Sequence, residues 1–349
     1  MTRFLLHIGR HKTGTSSLQH FLFTNRERLE AQGLYYPQAG LAQVAHHDIA
    51  RHLHLKQRQT LPQPERRRLA LTMKALRDEV ASRSDTVLLS SEAFQNCHPQ
   101  WLAAQFAPPD SRVVVYIREQ VDYLVSSYQQ KVHATGYAAS LAEYAAAVTI
   151  NYDAFLTRWE RIFGRERVQV RTYSRARLID GDIVADFGDA IGLDLGRDYQ
   201  RPANEQNPSI GGALLELKRL VNRRLGDTGR TALPVYKAFS GLANAEAALR
   251  RKPTLAADHT ERIRRLARAS NHRVFERHFG GEDVFDLAAC PVPSPGAPID
   301  RDGIAAVVAT LERSAPAVHQ ALCSVCGVAT LCELGTADPS ADAPRPNLY

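Results

Sequence analysis

The sequence has no apolar run approaching the ~20 residues that a bilayer-spanning helix needs, so no segment reads as a membrane crossing. Its opening residues 1–9 are apolar over too short a stretch for a signal peptide and read as a first core strand. Together these point to a cytoplasmic protein. The five cysteines, an odd number at irregular spacing, offer no extracellular disulfide framework. No internal repeat marks a solenoid or a propeller. No stripe of interleaved basic and aromatic residues supports a nucleic-acid surface.

What is present is ordinary in bulk and specific in detail. The chain has 349 residues, 44% of them hydrophobic and 23% charged. That suffices for one large α/β domain with elaborations, or two small ones, with a core that needs neither disulfide nor metal. The net charge is +7 and arginine dominates the basic side. Such an excess suits an anionic ligand, because a guanidinium grips phosphate or sulfate with two parallel donors.

Buried-strand patterns occur at residues 3–9, 86–91, 112–118 and 168–173. After the first strand, Leu18, Phe21, Leu22 and Leu29 share one helical face, with Thr15, Ser16 or Ser17 as caps and Gly33 as the stop. A basic, Gln-rich stretch at 55–68 reads as surface, and 69–82 as helix. The third strand runs into a helix with Val121, Leu124, Val125, Tyr128 and Val132 on its apolar face, and the fourth leads to a helix over 182–191. Residues 210–285 look mainly helical. Pro291, Pro293, Pro295 and Pro298 make 290–299 a linker-like break, before another helix over 301–322.

Strands alternating with helices predict an α/β fold: a mostly parallel central sheet flanked by helices, a P-loop-like three-layer sandwich with additional C-terminal helices. The expected organisation is a main domain over 1–290, a helical extension over 291–334 and a disordered tail over 335–349. Ligands on such sheets bind beyond the carboxyl ends of the strands.

Two strand ends carry anion chemistry. Gly9-Arg10-His11-Lys12-Thr13-Gly14-Thr15-Ser16-Ser17 lies between the first strand and the first helix. Successive backbone N–H groups and the positive end of the helix dipole make such a loop an anion site, to which Lys12 adds a full charge. It is not a Walker A loop, Gly-x-x-x-x-Gly-Lys-Ser/Thr, because here the lysine precedes the glycine by two positions. At the second end, Arg118 closes the third strand and Ser126 follows eight residues later, so a guanidinium and a hydroxyl can hold one phosphate from two sides.

These two segments resemble the 3′-phosphoadenosine-5′-phosphosulfate (PAPS)-dependent sulfotransferases. Lys12-Thr13-Gly14-Thr15-Ser16-Ser17 is similar to the family's 5′-phosphosulfate loop, with His11 where proline is common, and Arg118 with Ser126 is similar to its 3′-phosphate motif. The resemblance extends over roughly residues 1–285. Tyr173 stands where cytosolic members place an aromatic ring against adenine, residues 186–193 resemble a recurrent helix ending in Ile-Gly, and 270–285 resemble the closing segment of bacterial members. It implies that Arg10, His11, Lys12, Thr13, Gly14, Thr15, Ser16, Ser17, Arg118, Ser126 and Tyr173 hold PAPS. The product would be 3′,5′-ADP, with no metal required.

The acceptor needs a general base. Glu92 ends the second strand, where carbohydrate- and tyrosine-directed members of the family place a catalytic Glu, and His98 is the second choice. For Glu92 the competing reading is a carboxylate favoured by a helix N-terminus; for Tyr173 it is ordinary packing at a strand end. The resemblance implies a carbohydrate hydroxyl as acceptor, with a lipid or small-molecule alcohol as the alternative. A P-loop-type kinase or a non-catalytic nucleotide-binding protein is the competing class. His46-His47-Asp48 invites a metal reading, but adjacent histidines on a helix diverge, and a surface or acceptor-pocket role fits better. His319, Cys323, Cys326 and Cys332 are tightly spaced within a helical pattern and read as free cysteines rather than a zinc site.

Overall fold

The computed structural model describes residues 3–54, 60–83, 85–106, 110–196, 199–201, 209–226, 229–285 and 300–335. The Pro-rich break at 290–299, the tail beyond 335 and residues 55–59 of the Gln-rich stretch lie outside them. Five strands form one sheet: β1 (Arg3–His7), β2 (Leu34–Tyr35), β3 (Thr86–Ser90), β4 (Arg112–Ile117) and β5 (Val168–Thr172). Their order is β2-β3-β1-β4-β5 and every pairing is parallel. β1 is therefore central, with Leu5 beside Leu88 of β3 and Leu6 beside Val113 of β4.

The helices, in chain order, are α1 (Thr15–Thr24), α2 (Arg26–Ala31), α3 (His47–Leu53), α4 (Gln63–Val80), α5 (Pro99–Phe106), α6 (Gln120–Ala134) and α7 (Leu141–Ala147). After these come α8 (Tyr152–Phe163), α9 (Ile183–Ile191), α10 (Gly212–Leu225), α11 (Leu233–Ala245), α12 (Ala257–His278), α13 (Arg301–Ser314) and α14 (Pro316–Cys326). They fall into two compact units that interleave along the chain. The first comprises Met1–Glu119, Asn151–Gln206 and Arg268–Asp286, and the second Gln120–Ile150, Asn207–Ala267 and Leu287–Tyr349.

The first unit holds the whole sheet. β1, β3 and β4 are apolar without alternation because helices cover both faces, whereas the edge strand β5 alternates, with Gln169 and Arg171 only half-buried. On one face Leu5, Leu88, Val114 and Tyr116 pack with Leu18, Phe21 and Leu22 of α1, Leu29 of α2 and Ile183, Val184 and Phe187 of α9. On the other, Phe4 meets Phe106 of α5 at a centroid distance of 5.2 Å, and α8 lies against α5, β4 and β5 with Trp159 fully buried. This gives the three layers. Asp186 of α9 is a buried carboxylate that accepts hydrogen bonds from Tyr116 at 2.7 Å and from Arg171 of β5 at 2.6 and 3.0 Å. Unpaired, that charge would be strongly destabilising; paired, it fixes α9 against the sheet.

The second unit is helical. α10 packs with α6, α13 and α14. Its Asn222 donates to the carbonyls of Val132, Thr135 and Tyr137, capturing the exposed carbonyls at the C-terminal end of α6. Lys218 is buried beside it, bonded to Asn222 Oδ1 and Thr135 O, and burial pushes its ammonium down to about 8. Among the described residues no helix is long and apolar enough to cross a membrane.

Two helices differ from the periodicity. The face of Leu18, Phe21, Leu22 and Leu29 predicts one helix, but Asn25 divides it, donating to Phe21 O and Gln200 O, each at 2.8 Å, and accepting from Gln200 N at 2.9 Å. The helix expected over 301–322 is divided at Ala315, because Pro316 has no N–H to continue the ladder and instead begins α14.

Candidate anion-binding and acid–base site

All of the groups assembled below, Ser126 excepted, belong to the first unit. β1 hands the chain to the loop Ile8–Gly14 while still paired, Ile8 N donating to Val114 O at 3.1 Å. Within the loop Lys12 takes a left-handed conformation, φ 66°, and Gly14, the residue before α1, takes φ 75°. Left-handed residues are the device by which successive N–H groups turn to one side of a loop and form an anion-binding concavity. For lysine that conformation costs of order 1–3 kcal/mol, strain of the kind that collects at ligand sites. Thr13 Oγ1 donates to Arg10 O at 2.7 Å and closes the turn. No acidic residue stands in the first turn of α1, and Ser16 is exposed there.

Two glycines let other elements reach the loop. A Cβ on Gly9 would stand 2.9 Å from Thr15 Cγ2 and 3.2 Å from Glu92 Cα, so the bare backbone admits Glu92 beside the loop. A Cβ on Gly14 would stand 2.8 Å from Tyr173 Cε2 and 3.0 Å from Ile183 Cγ1. Gly14→Ala should therefore destabilise the fold by roughly 1–2 kcal/mol for the left-handed backbone alone, more for the displaced ring. Denaturant melts of the two proteins measure this, and equal midpoints would mean the loop relaxes freely.

Arg118 is buried at the end of β4 and its guanidinium reaches across the sheet to donate to Lys12 O. It also lies 5.3 Å from the centre of the Tyr173 ring. Its backbone is gripped by Tyr152, whose hydroxyl accepts from Arg118 N at 3.2 Å and donates to Arg118 O. Arg10 lies over Tyr152 and Phe155 of α8, 5.1 and 4.9 Å from the ring centres. Lys12, Arg118, Arg10 and Tyr173 are thus gathered at one loop. Ser126 is buried on α6, in the second unit.

Glu92 begins the short helical turn Glu92–Asn96 after β3. Gln19 of α1 donates to its Oε2 at 2.9 Å, and His47 Nε2 stands 3.8 Å from its Oε1. His47 Nδ1 in turn lies 2.8 Å from Ser91 Oγ. Burial works to raise the Glu92 carboxyl, but His47, the Gln19 hydrogen bond and His11 outweigh it and hold the group below the ordinary carboxylate range. Burial lowers His11 and takes His7, bonded through Nδ1 to Ser90 Oγ at 2.8 Å, down to about 4. An ionised carboxylate between the sheet edge and an anion loop can accept a proton from a hydroxyl without a titration step near neutrality.

His98 faces elsewhere: its Nδ1 accepts from Gln100 N at 3.3 Å and its ring lies 5.9 Å from that of Trp101. His46, read from sequence as a surface or pocket residue, is wholly buried, accepting from Ser90 N and bonded to Pro37 O. Among the described residues no three His, Cys, Asp or Glu side chains group to hold a metal; His319 and Cys323 touch at 3.7 Å. The parts that the sequence did not reveal are Gln19, Tyr152 and Phe155, which reach the site only through the folding of α1 and α8; His47 was read as a surface or acceptor-pocket residue, without its contact to Glu92.

No family model matches the chain. An uncharacterized protein from Archaeoglobus fulgidus is 28% identical over 183 residues, covering 51% of this chain and 48% of that protein. The chain thus spans about half the length of the relative it matches. Among solved structures, that of a sulfotransferase from Alicyclobacillus acidocaldarius aligns with 60% of this chain and 87% of its own, at 20% identity and a TM-score of 0.36.

Proposed function

We propose that the chain is a PAPS-dependent sulfotransferase of the cytoplasm, transferring the sulfuryl group to an acceptor hydroxyl, with a carbohydrate as the first acceptor class to test. The observation that carries this reading is the convergence on one strand–loop–helix turn of a left-handed lysine, a buried arginine that bonds that lysine's carbonyl, and a strand-end carboxylate. The loop resemblance supplies the donor, and the geometry supplies a place for its charge.

In this reading the loop N–H groups and Lys12 hold the 5′-phosphosulfate, and Arg118, with Ser126, the 3′-phosphate. Tyr173 offers a ring to the adenine. Glu92 takes the proton of the acceptor hydroxyl as its oxygen bonds to sulfur. The bond from sulfur to the bridging oxygen breaks, and its electron pair stays on the 5′-phosphate of 3′,5′-ADP, where Lys12 meets the new charge. Such loose in-line transfers depend on positioning and charge stabilisation rather than on covalent chemistry by the protein.

Calorimetry of the full chain tests the donor site before any acceptor is known. We expect 3′,5′-ADP to bind without added metal, and Arg118→Ala to weaken it by about 1.5–3 kcal/mol, the worth of hydrogen bonds to a charged group. Absence of binding to folded protein, or a preference for ATP with magnesium, would overturn the reading in favour of a kinase-type nucleotide site.

A further inference from the structure

We infer that His47 is a positioning residue for Glu92, so that the two side chains act as one acid–base unit in which the carboxylate, and not the imidazole, receives the acceptor's proton. The inference rests on the role given to Glu92 above and adds what holds that carboxylate ready.

His47 is placed by the fold rather than by its own packing. Immediately before α3, His46 N donates to Ser90 O at 2.8 Å, while Ser90 N donates back to His46 Nδ1 at 3.1 Å. These two bonds staple the start of α3 to the end of β3. The residue after His46 is then carried to the residues after Ser90, and His47 meets Ser91 and Glu92.

The surroundings engage both ring nitrogens. Ser91 Oγ accepts from Ala93 N at 3.2 Å and lies 2.8 Å from His47 Nδ1, so that nitrogen is taken whichever of the two donates. The other nitrogen, Nε2, faces Glu92 Oε1 at 3.8 Å, and a carboxylate so placed favours a proton on it. With Nδ1 engaged by Ser91 and Nε2 turned to the carboxylate, the ring has no free lone pair to offer a substrate proton.

The two carboxylate oxygens are also distinguished. Gln19 donates to Oε2 at 2.9 Å, within hydrogen-bond range, whereas the 3.8 Å from His47 to Oε1 is beyond it. Oε1 is therefore the oxygen with room for an incoming proton. The other groups that face this carboxylate are His11 of the loop, His7 of β1 and the Tyr36 hydroxyl, with Arg10 and Lys12 nearby around His11. His7 and His11 are pushed towards the neutral form by burial, and Tyr36 is pushed far up. The His47 side chain keeps 34% of its surface exposed. The ring at Oε1 favours the ionised form of Glu92, first among the influences that oppose burial there.

The test is a carbon-13 titration of the full-length protein labelled at glutamate carboxyls, with Glu92 identified by the signal lost in Glu92→Gln. In His47→Gln the Glu92 midpoint should move to higher pH, and in His47→Lys, which keeps a cation but not the ring, it should stay near the parent value. Ser91→Ala should move it in the same direction as His47→Gln, and serves if that variant does not fold. An unmoved midpoint in both His47→Gln and Ser91→Ala, or equal rises in the Gln and Lys variants, would overturn the inference. Binding of 3′,5′-ADP by the same samples reads the donor site separately: its loss in the parent protein would count against the sulfotransferase reading, while the Glu92 midpoint reports only on the pair.

Discussion

Glu92→Gln should lower kcat by roughly 10²–10⁴-fold, the usual worth of a positioned general base, while leaving 3′,5′-ADP affinity unchanged. The amide matches the carboxylate in shape, so the contact between Gln19 and the side chain can persist with one amide reversed. What disappears is the capacity to take a proton. In the proposed reaction the same group should set the acid limb of the parent protein's activity. Because the folded carboxyl titrates below its ordinary value, the base form is fully present near neutrality and is lost only as pH falls through that depressed midpoint. A kcat/KM profile, measured with labelled PAPS once a screen of hydroxyl compounds has given an acceptor, should be flat above the ordinary carboxylate range. An acid limb near pH 6–7 that vanished in Glu92→Gln would mean that burial wins over His47 and Gln19; a profile and a rate indifferent to the substitution would remove Glu92 from the chemistry. The linked stability term has the same sign: a depressed carboxyl stabilises the fold above its unfolded midpoint and ceases to do so as pH drops through the folded one.

Lys12→Ala should cost about 10²–10³ in kcat, in line with removal of one preorganised donor from a developing oxyanion. Charge and strain can be separated at this position. Alanine keeps the unfavourable left-handed backbone at φ 66° and loses the ammonium; glycine loses the ammonium and relaxes the backbone. Lys12→Gly should therefore melt above Lys12→Ala by about 1–2 kcal/mol while sharing its catalytic defect. If Lys12→Gly retained turnover, the lysine would serve the loop's shape and not the leaving group.

Legibility from sequence followed how local each signal was. β1, β3 and β4 could be read because each is a run of apolar residues bounded by turns and buried on both faces; β5 was legible as a short strand although its residues alternate, with Gln169 and Arg171 half-buried. β2 could not, since two residues, Leu34 and Tyr35, carry no pattern of their own and pair only because β3 offers an edge. The loop and Arg118 were legible as strand ends followed by helices. The break at Pro316 was passed over in the helix expected across 301–322, although a residue without an amide hydrogen inside a periodic run is a local signal. The break at Asn25 had no such signal, because its side chain is satisfied by Gln200, 175 positions away. The same distance effect hid the surroundings of Glu92. Gln19, His47 and Glu92 meet only after α1 and α3 have packed, and no spacing rule joins positions so far apart. His46 read as a surface or pocket residue because nothing local announces that Ser90 and Pro37 will enclose it.

The central place of β1 has a consequence for how the chain is made. Of the strands in this sheet it is made first, yet Leu5 must wait for Leu88 on one side and Leu6 for Val113 on the other. At synthesis rates of about 5–20 residues per second, that leaves an apolar strand without either neighbour for several seconds. Until β4 arrives there is also no Arg118 to brace Lys12, so the anion loop is completed late although it is encoded early. Slowing translation just after β4 has emerged should therefore favour the protein's yield more than slowing it anywhere earlier.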